Sequence, residues 1–127
     1  MLSLGGQYKG FIEAHGFYPL DKYDPDALWE GKELEGHVGC NTRKLREVLT
    51  GRSAYAVKSY HVDKPTYDKA LQYMSTYDRR NDYGAVTNNC VHAVFSALKH
   101  AGVTNSFVQE IPGASPSAIH KAIKGGY

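Results

Sequence analysis

The amino-acid sequence predicts an α+β fold, a small antiparallel β-sheet packed against helices. Two patterns carry that expectation. The first half of the chain gathers aromatic and β-branched residues into short runs bounded by Gly, Pro, Asn and Asp, as strands and turns require. The second half places apolar residues at helical spacing, between residues that start and stop helices. At 127 residues, with no repeat at a solenoid period and no low-complexity linker, residues 1–127 read as a single domain with a core of ordinary size.

The elements follow in order. Tyr8 to Ala14 and His15 to Tyr18 read as short strands or a bent hairpin, stopped at Pro19. Residues 21–32 are loop-like, with a turn at Asp24-Pro25-Asp26 and Trp29 as the anchor of the loop on the body. Glu35 to Cys40 is a short strand. Asn41 caps a short helix over Thr42 to Leu49, with Gly51 just past its end. Ser53 to Val62, dense in Tyr, Val and Ala, is the strongest strand candidate.

In the second half, Lys64-Pro65-Thr66 opens a helix reaching the neighbourhood of Arg80. Tyr67, Ala70, Leu71, Met74 and Tyr77 form its apolar stripe. Asn81 to Val86 turns the chain. Asn88 and Asn89 offer a cap for a helix from Cys90 to Ala101, ended by Gly102. Ser115-Pro116 opens a last helix to Lys124, with Gly125-Gly126 after it.

Composition narrows the function. Fifteen Lys and Arg against thirteen Asp and Glu leave a formal charge of +2, too small for the broad basic footprint of a nucleic-acid binder. No apolar run approaches the roughly 20 residues of a membrane helix, so no integral membrane segment is expected. Met1 to Gln7 lacks the basic start and apolar stretch of a signal peptide. The chain is therefore expected to be cytoplasmic as made. Action outside the cell would need a specialised secretion system or a larger polypeptide around it. Two cysteines, Cys40 and Cys90, are too few for a disulfide scaffold and lack the spacing of a zinc-ligand pair. No cofactor and no metal is expected.

Cys90 is the most informative residue. It falls in the first turn of its helix, where backbone N–H groups lack intrahelical partners and the helix dipole is positive. Such a position favours the thiolate, the nucleophilic form of a cysteine. On a helical wheel Cys90 shares a face with Ala93, Val94, Ala97 and Ala101, small residues that let the helix approach the sheet. Against this stands the ordinary behaviour of cysteine as a small buried apolar residue.

The segment Tyr83-Gly84-Ala85-Val86-Thr87-Asn88-Asn89-Cys90-Val91-His92-Ala93-Val94 resembles the Y-x-x-x-x-N-N-C-x-x-[FA]-[AV] segment of circularly permuted papain-like proteins. That group includes permuted NlpC/P60-type amidases, lecithin:retinol acyltransferase-like proteins, and domains at the C-termini of bacterial polymorphic and type VI toxins. Asn89 to Val94 is similar to the N-C-E-H-F-V motif of the acyltransferase-like branch, with Val91 in place of its glutamate and Ala93 in place of its phenylalanine. Gly16-Phe17-Tyr18-Pro19, the helix opening near Pro65-Thr66-Tyr67, and Pro112 to Pro116 resemble the toxin-associated members. The resemblance implies a permuted papain-like fold with the nucleophile at a helix N-terminus and a histidine base upstream of it, on a sheet strand.

His15, His37 and His61 lie upstream of Cys90; His92 follows it by two positions, turned about 200° round the helix. His37 sits between glycines in Gly36-His37-Val38-Gly39, a setting that permits close backbone approach, and is the favoured base. His15 is the second choice, or a partner on a neighbouring strand. Relatives carry the base in a Gly-His pair before the Gly-Phe-Tyr-Pro segment, and the matching stretch here, Gln7 to Glu13, has no histidine. His100 and His120, late on their helices, read as solvated. So does the charge cluster Asp78 to Asp82. Tyr83 reads as packing under the helix start, and Cys40 as a sheet-edge residue.

The expected function is a cysteine-dependent hydrolase cleaving an amide bond, with peptidoglycan peptide as substrate, in an antibacterial toxin or effector domain. A cognate immunity protein is then an expected partner. Two alternatives stand beside it: a phospholipase or acyltransferase using the same Cys-His site, and a non-catalytic binding module with a structural Cys90.

Overall fold

A computed structural model describes residues 3–8, 11–19, 30, 33–40, 43, 58–84, 88–103 and 116–125. Its described residues form a mixed α+β arrangement, a three-stranded antiparallel sheet with three α-helices. The strands are β1 (Ser3–Tyr8), β2 (Phe11–Pro19) and β3 (Gly36–Cys40), in that spatial order. Ser3 stands opposite Gly16 and Tyr8 opposite Phe11; on the other side of β2, His15 stands opposite Cys40 and Pro19 opposite Gly36.

Side chains alternate along a strand and opposed residues share a face, so this register sorts the sheet. Leu4, Glu13, His15, Phe17, Val38 and Cys40 lie on one face; Ala14, Tyr18 and His37 lie on the other. The first face is the one the helices cover. Leu4 and Phe17 are buried in one cluster with helical side chains, and Val38 packs against it. Phe17 is fully buried, and its ring needs Gly36 across the ladder. A Cβ on Gly36 would come 2.5 Å from two ring carbons. The outer edge of β3 is tied down as well: the Val38 N–H donates to the Asp78 carboxylate at 2.9 Å, which removes one edge donor from the reach of another strand.

Two sequence expectations change here, and a third falls outside the described residues. The expected short strands or bent hairpin form one unbroken strand, β2, and its partner is β1, a strand not expected from the sequence. Leu4 is the one aliphatic residue in Ser3–Tyr8, so local propensity is weak and pairing along β2 supplies the strand. The strand expected over Ser53–Val62 is absent in its described part, residues 58–62. There only Tyr60 is partly buried, while Lys58, Ser59, His61 and Val62 are exposed. A half-buried strand needs inward side chains on alternate positions, and one is not enough. The expected helix over Thr42–Leu49 lies outside the described residues, apart from Arg43 in helical conformation.

Helix α1 (Lys64–Ser75) starts where expected: Asp63 is the N-cap, its carboxylate accepting the Thr66 N–H at 3.0 Å, and proline occupies the first turn. It ends before Arg80. The Ser75 and Thr76 hydroxyls both donate to the Gln72 carbonyl, at 3.0 and 3.1 Å. Such local side-chain bonds compete with the helical ladder. A 3₁₀ turn over Tyr77–Arg79 follows and keeps Tyr77 inward.

Helix α2 (Cys90–His100) stops in a Schellman arrangement. Gly102 N–H donates to Lys99 O at 3.0 Å and Val103 N–H to Leu98 O at 2.9 Å. Gly102 has φ +88°, the left-handed conformation glycine adopts without strain. Helix α3 (Pro116–Lys124) is the last.

Helix α2 separates two cores. Ala93, Val94, Ala97 and Ala101 join Leu4, Phe17, Ala70, Leu71, Met74 and Tyr77 between the sheet and α1. Cys90, Val91 and Phe95 pack instead with Ile119 of α3, flanked by Tyr60, Leu98, Val103 and Ile123.

Candidate functional site

The start of α2 is fixed by its own residues. Asn89 is the N-cap, in extended conformation, and its side-chain oxygen accepts the Val91 N–H at 2.9 Å and the His92 N–H at 3.4 Å. His92 completes a capping box: its Nδ1 accepts the Asn89 N–H at 3.1 Å. Nδ1 also lies 3.0 Å from Asn89 Oδ1. The neutral ring with its proton on Nε2 serves as acceptor for the backbone N–H. Burial holds His92 below the ordinary histidine value, in keeping with that neutral role. His92 is thus a capping residue, a position usually held by Glu or Gln.

Asn88 is not a cap. Its side-chain oxygen accepts a hydrogen bond from the Tyr77 hydroxyl, and its amide donates to Asp82 O at 3.0 Å. Its backbone pairs with Gly84 in both directions, at 3.0 and 3.2 Å. Asn88, two residues before Cys90, is therefore bound to the 3₁₀ turn that follows α1 through one buried phenol. Burial raises the Tyr77 pKa, and the bond to Asn88 acts the other way. Tyr83 pairs its backbone with Leu34, and its ring lies 5.3 Å from the Phe17 ring. It packs over the sheet.

Cys90 is the first residue of α2 and is 3% exposed. It does not join Ala93, Val94, Ala97 and Ala101 against the sheet; its cluster is that of Val91, Phe95 and Ile119. The wheel angle it shares with the alanines is undone by its place at the helix start, where α3 covers it.

His15 and His37 are separated by the sheet. His15 shares the helix-covered face with Leu4, Phe17 and Cys40 and is partly buried. His37 stands opposite Tyr18 on the other face, their ring centroids 5.9 Å apart. Of the two, only His15 is on the side of α1 and α2. His61 and His120 are exposed, and His100 stacks on Tyr73 at 4.6 Å.

The cluster Asp78 to Asp82 is more than a solvated face. Asp78 holds Val38, Arg80 lies 4.6 Å over the Tyr73 ring and donates to Tyr73 O and Thr76 Oγ1, and Asn81 donates to Tyr77 O. Cys40, read as structural, is exposed and directly opposite His15. That pairing is a product of sheet register, which no local motif records.

Among the described residues, no group of three or more His, Cys, Asp and Glu is placed to hold a metal ion. Among the same residues, no helix is long and apolar enough to cross a membrane. No protein-family model, curated protein or solved structure matches the chain.

Proposed function

We propose that this chain is a cysteine-dependent hydrolase of the permuted papain-like kind, with Cys90 as nucleophile and His15 as base. One observation supports it above the others: Cys90 is the first residue of a helix whose N-terminus is held by a full capping box. A thiol there faces the positive end of the helix dipole. His15 is preferred to His37 because it lies on the helix-covered face of the sheet, and the pairing requires the Cys90 thiol to turn from its cluster with Ile119 toward that face. In the proposed reaction the imidazole takes the Cys90 proton and the thiolate attacks an amide carbonyl. The Cys90 N–H helps hold the oxyanion, the imidazolium protonates the leaving amine, and water releases the acyl group. Peptidoglycan peptide is the proposed substrate, in an antibacterial effector with a cognate immunity protein.

The test is incubation of the protein with purified sacculi and, separately, with phospholipid vesicles, followed by mass spectrometry of the products. Release of peptide fragments that Cys90→Ala and His15→Ala abolish, while His37→Ala does not, supports the reading. Products from vesicles alone would point to an acyltransferase or lipase instead.

A second reading, a non-catalytic module with a structural Cys90, is favoured by a different observation. The cysteine is 3% exposed and packed with Val91, Phe95 and Ile119. Wild-type and Cys90→Ala proteins that are alike in every product assay would establish it.

A further inference from the structure

A histidine in a capping box differs in kind from the Glu or Gln usually found there. Glutamine does not titrate, and a protonated glutamate keeps a carbonyl oxygen that accepts. A ring nitrogen has one lone pair, so a proton on Nδ1 removes the acceptor and makes the same atom a donor. His92 Nδ1 lies within reach of a partner for each state: the Asn89 N–H at 3.1 Å, which needs an acceptor, and Asn89 Oδ1 at 3.0 Å, which needs a donor. Oδ1 already accepts from Val91 N at 2.9 Å and from His92 N at 3.4 Å. A charged donor arriving at Oδ1 competes first with the longer of these bonds. Cys90 lies between the two residues of the box, in the turn that they close.

We propose that His92 is a proton-operated catch on the first turn of α2. Its Nδ1 accepts the Asn89 N–H while the ring is neutral and donates to Asn89 Oδ1 once the ring is protonated, which releases the N–H and loosens the turn that carries Cys90. The titratable groups brought to this turn are Cys90 on α2 itself, Tyr77 through its bond to Asn88, and Asp82, whose carbonyl accepts the Asn88 amide. On the elements packed against α2, the charged residues Glu13 of β2, Lys64, Asp68 and Lys69 of α1, and Lys121 and Lys124 of α3 are exposed. Among the described residues none of these groups bonds to the ring, and burial alone holds it neutral to lower pH. The catch is therefore closed at neutral pH and opens on acidification. It operates whether or not Cys90 attacks a substrate.

The experiment is NMR on the full, folded, ¹⁵N-labelled chain, titrated downward from pH 7.5. At the start the ring is expected to carry its proton on Nε2, with Nδ1 bare and the Asn89 N–H protected from exchange. As His92 titrates, exchange of the Asn89 N–H, divided by its intrinsic rate at each pH, is expected to rise on the order of tenfold. The Asn89 side-chain signals should move with the same midpoint. His92→Gln keeps an acceptor that does not titrate, so its Asn89 N–H should stay protected throughout. A proton on Nδ1 at pH 7.5 overturns the proposal, and so does Asn89 protection that is unchanged across the His92 titration. Both are read on the unmodified chain, and so hold even if the variant does not fold. The same pH-dependent loss in folded His92→Gln overturns it as well.

Discussion

Replacing Asn89 by alanine tests the idea that the capping box holds the first turn of α2, and with it Cys90. Asn89 is 7% exposed, and its oxygen accepts from Val91 N at 2.9 Å and from His92 N at 3.4 Å. The first is a full hydrogen bond and the second a long one. Loss of an N-cap costs about 0.5–2 kcal/mol. Val91 is fully buried, so water does not readily replace the lost acceptor, and the upper end of that range, about 2 kcal/mol, is expected. For a domain of this size that corresponds to a fall in Tm of roughly 6–10 °C. Urea melts followed by circular dichroism would measure it. Asn89→Asp is the control: it keeps the acceptor, adds a charge the helix dipole favours, and is expected within about 0.5 kcal/mol of the parent. The double variant with His92→Ala should lose less than the sum of its parts, because the two side chains serve one box. An Asn89→Ala protein less than about 0.3 kcal/mol from the parent would refute the reasoning, since even the weakest measured caps exceed that.

Three further outcomes follow from the same structure. Burial depresses the His92 pKa below 6.5, so below that pH the unfolded chain binds a proton that the folded chain binds only at lower pH. Stability is then fully present above pH 6.5 and falls as pH drops through the window beneath it. Urea melts at pH 7.5 and 5 would show the decline, and His92→Ala would remove its share. Gly36→Ala forces a Cβ to within 2.5 Å of the buried Phe17 ring, and a loss of about 1–3 kcal/mol is expected in the same melts. Ile119→Ala opens the cover over Cys90, with a loss of about 2–5 kcal/mol and faster alkylation of Cys90 under conditions where the chain remains folded.

What the sequence displayed, it displayed locally. Both ends of α2 are marked by a residue that performs a specific backbone task, Asn89 accepting N–H groups and Gly102 turning through positive φ. The start of α1 shows Pro65 in its first turn, and β3 shows its short run between turn residues. What was hidden depends on partners far away in the chain. β1 has little strand propensity and exists through its pairing with β2. Residues 58–62 have strand-like composition but a single inward side chain. The end of α1 turns on whether the Ser75 and Thr76 hydroxyls bond backwards, which composition does not reveal. The candidate site divides the same way. The helix-start position of Cys90 was readable, but its cover by Ile119 was not.

Parity along the strands separates the two candidate histidines. Gly36 and Gly39 make room around His37, yet room on a strand says nothing about which face a side chain takes. The pairing of His37 with Tyr18 turns it away from Phe17, while His15, two residues from Phe17, faces the helices. A shift of one residue in register would reverse both assignments and would also turn Phe17 and Leu4 out of the core. The burial of Phe17 at 0% and Leu4 at 8% exposure therefore anchors the register and the placing of His15 together.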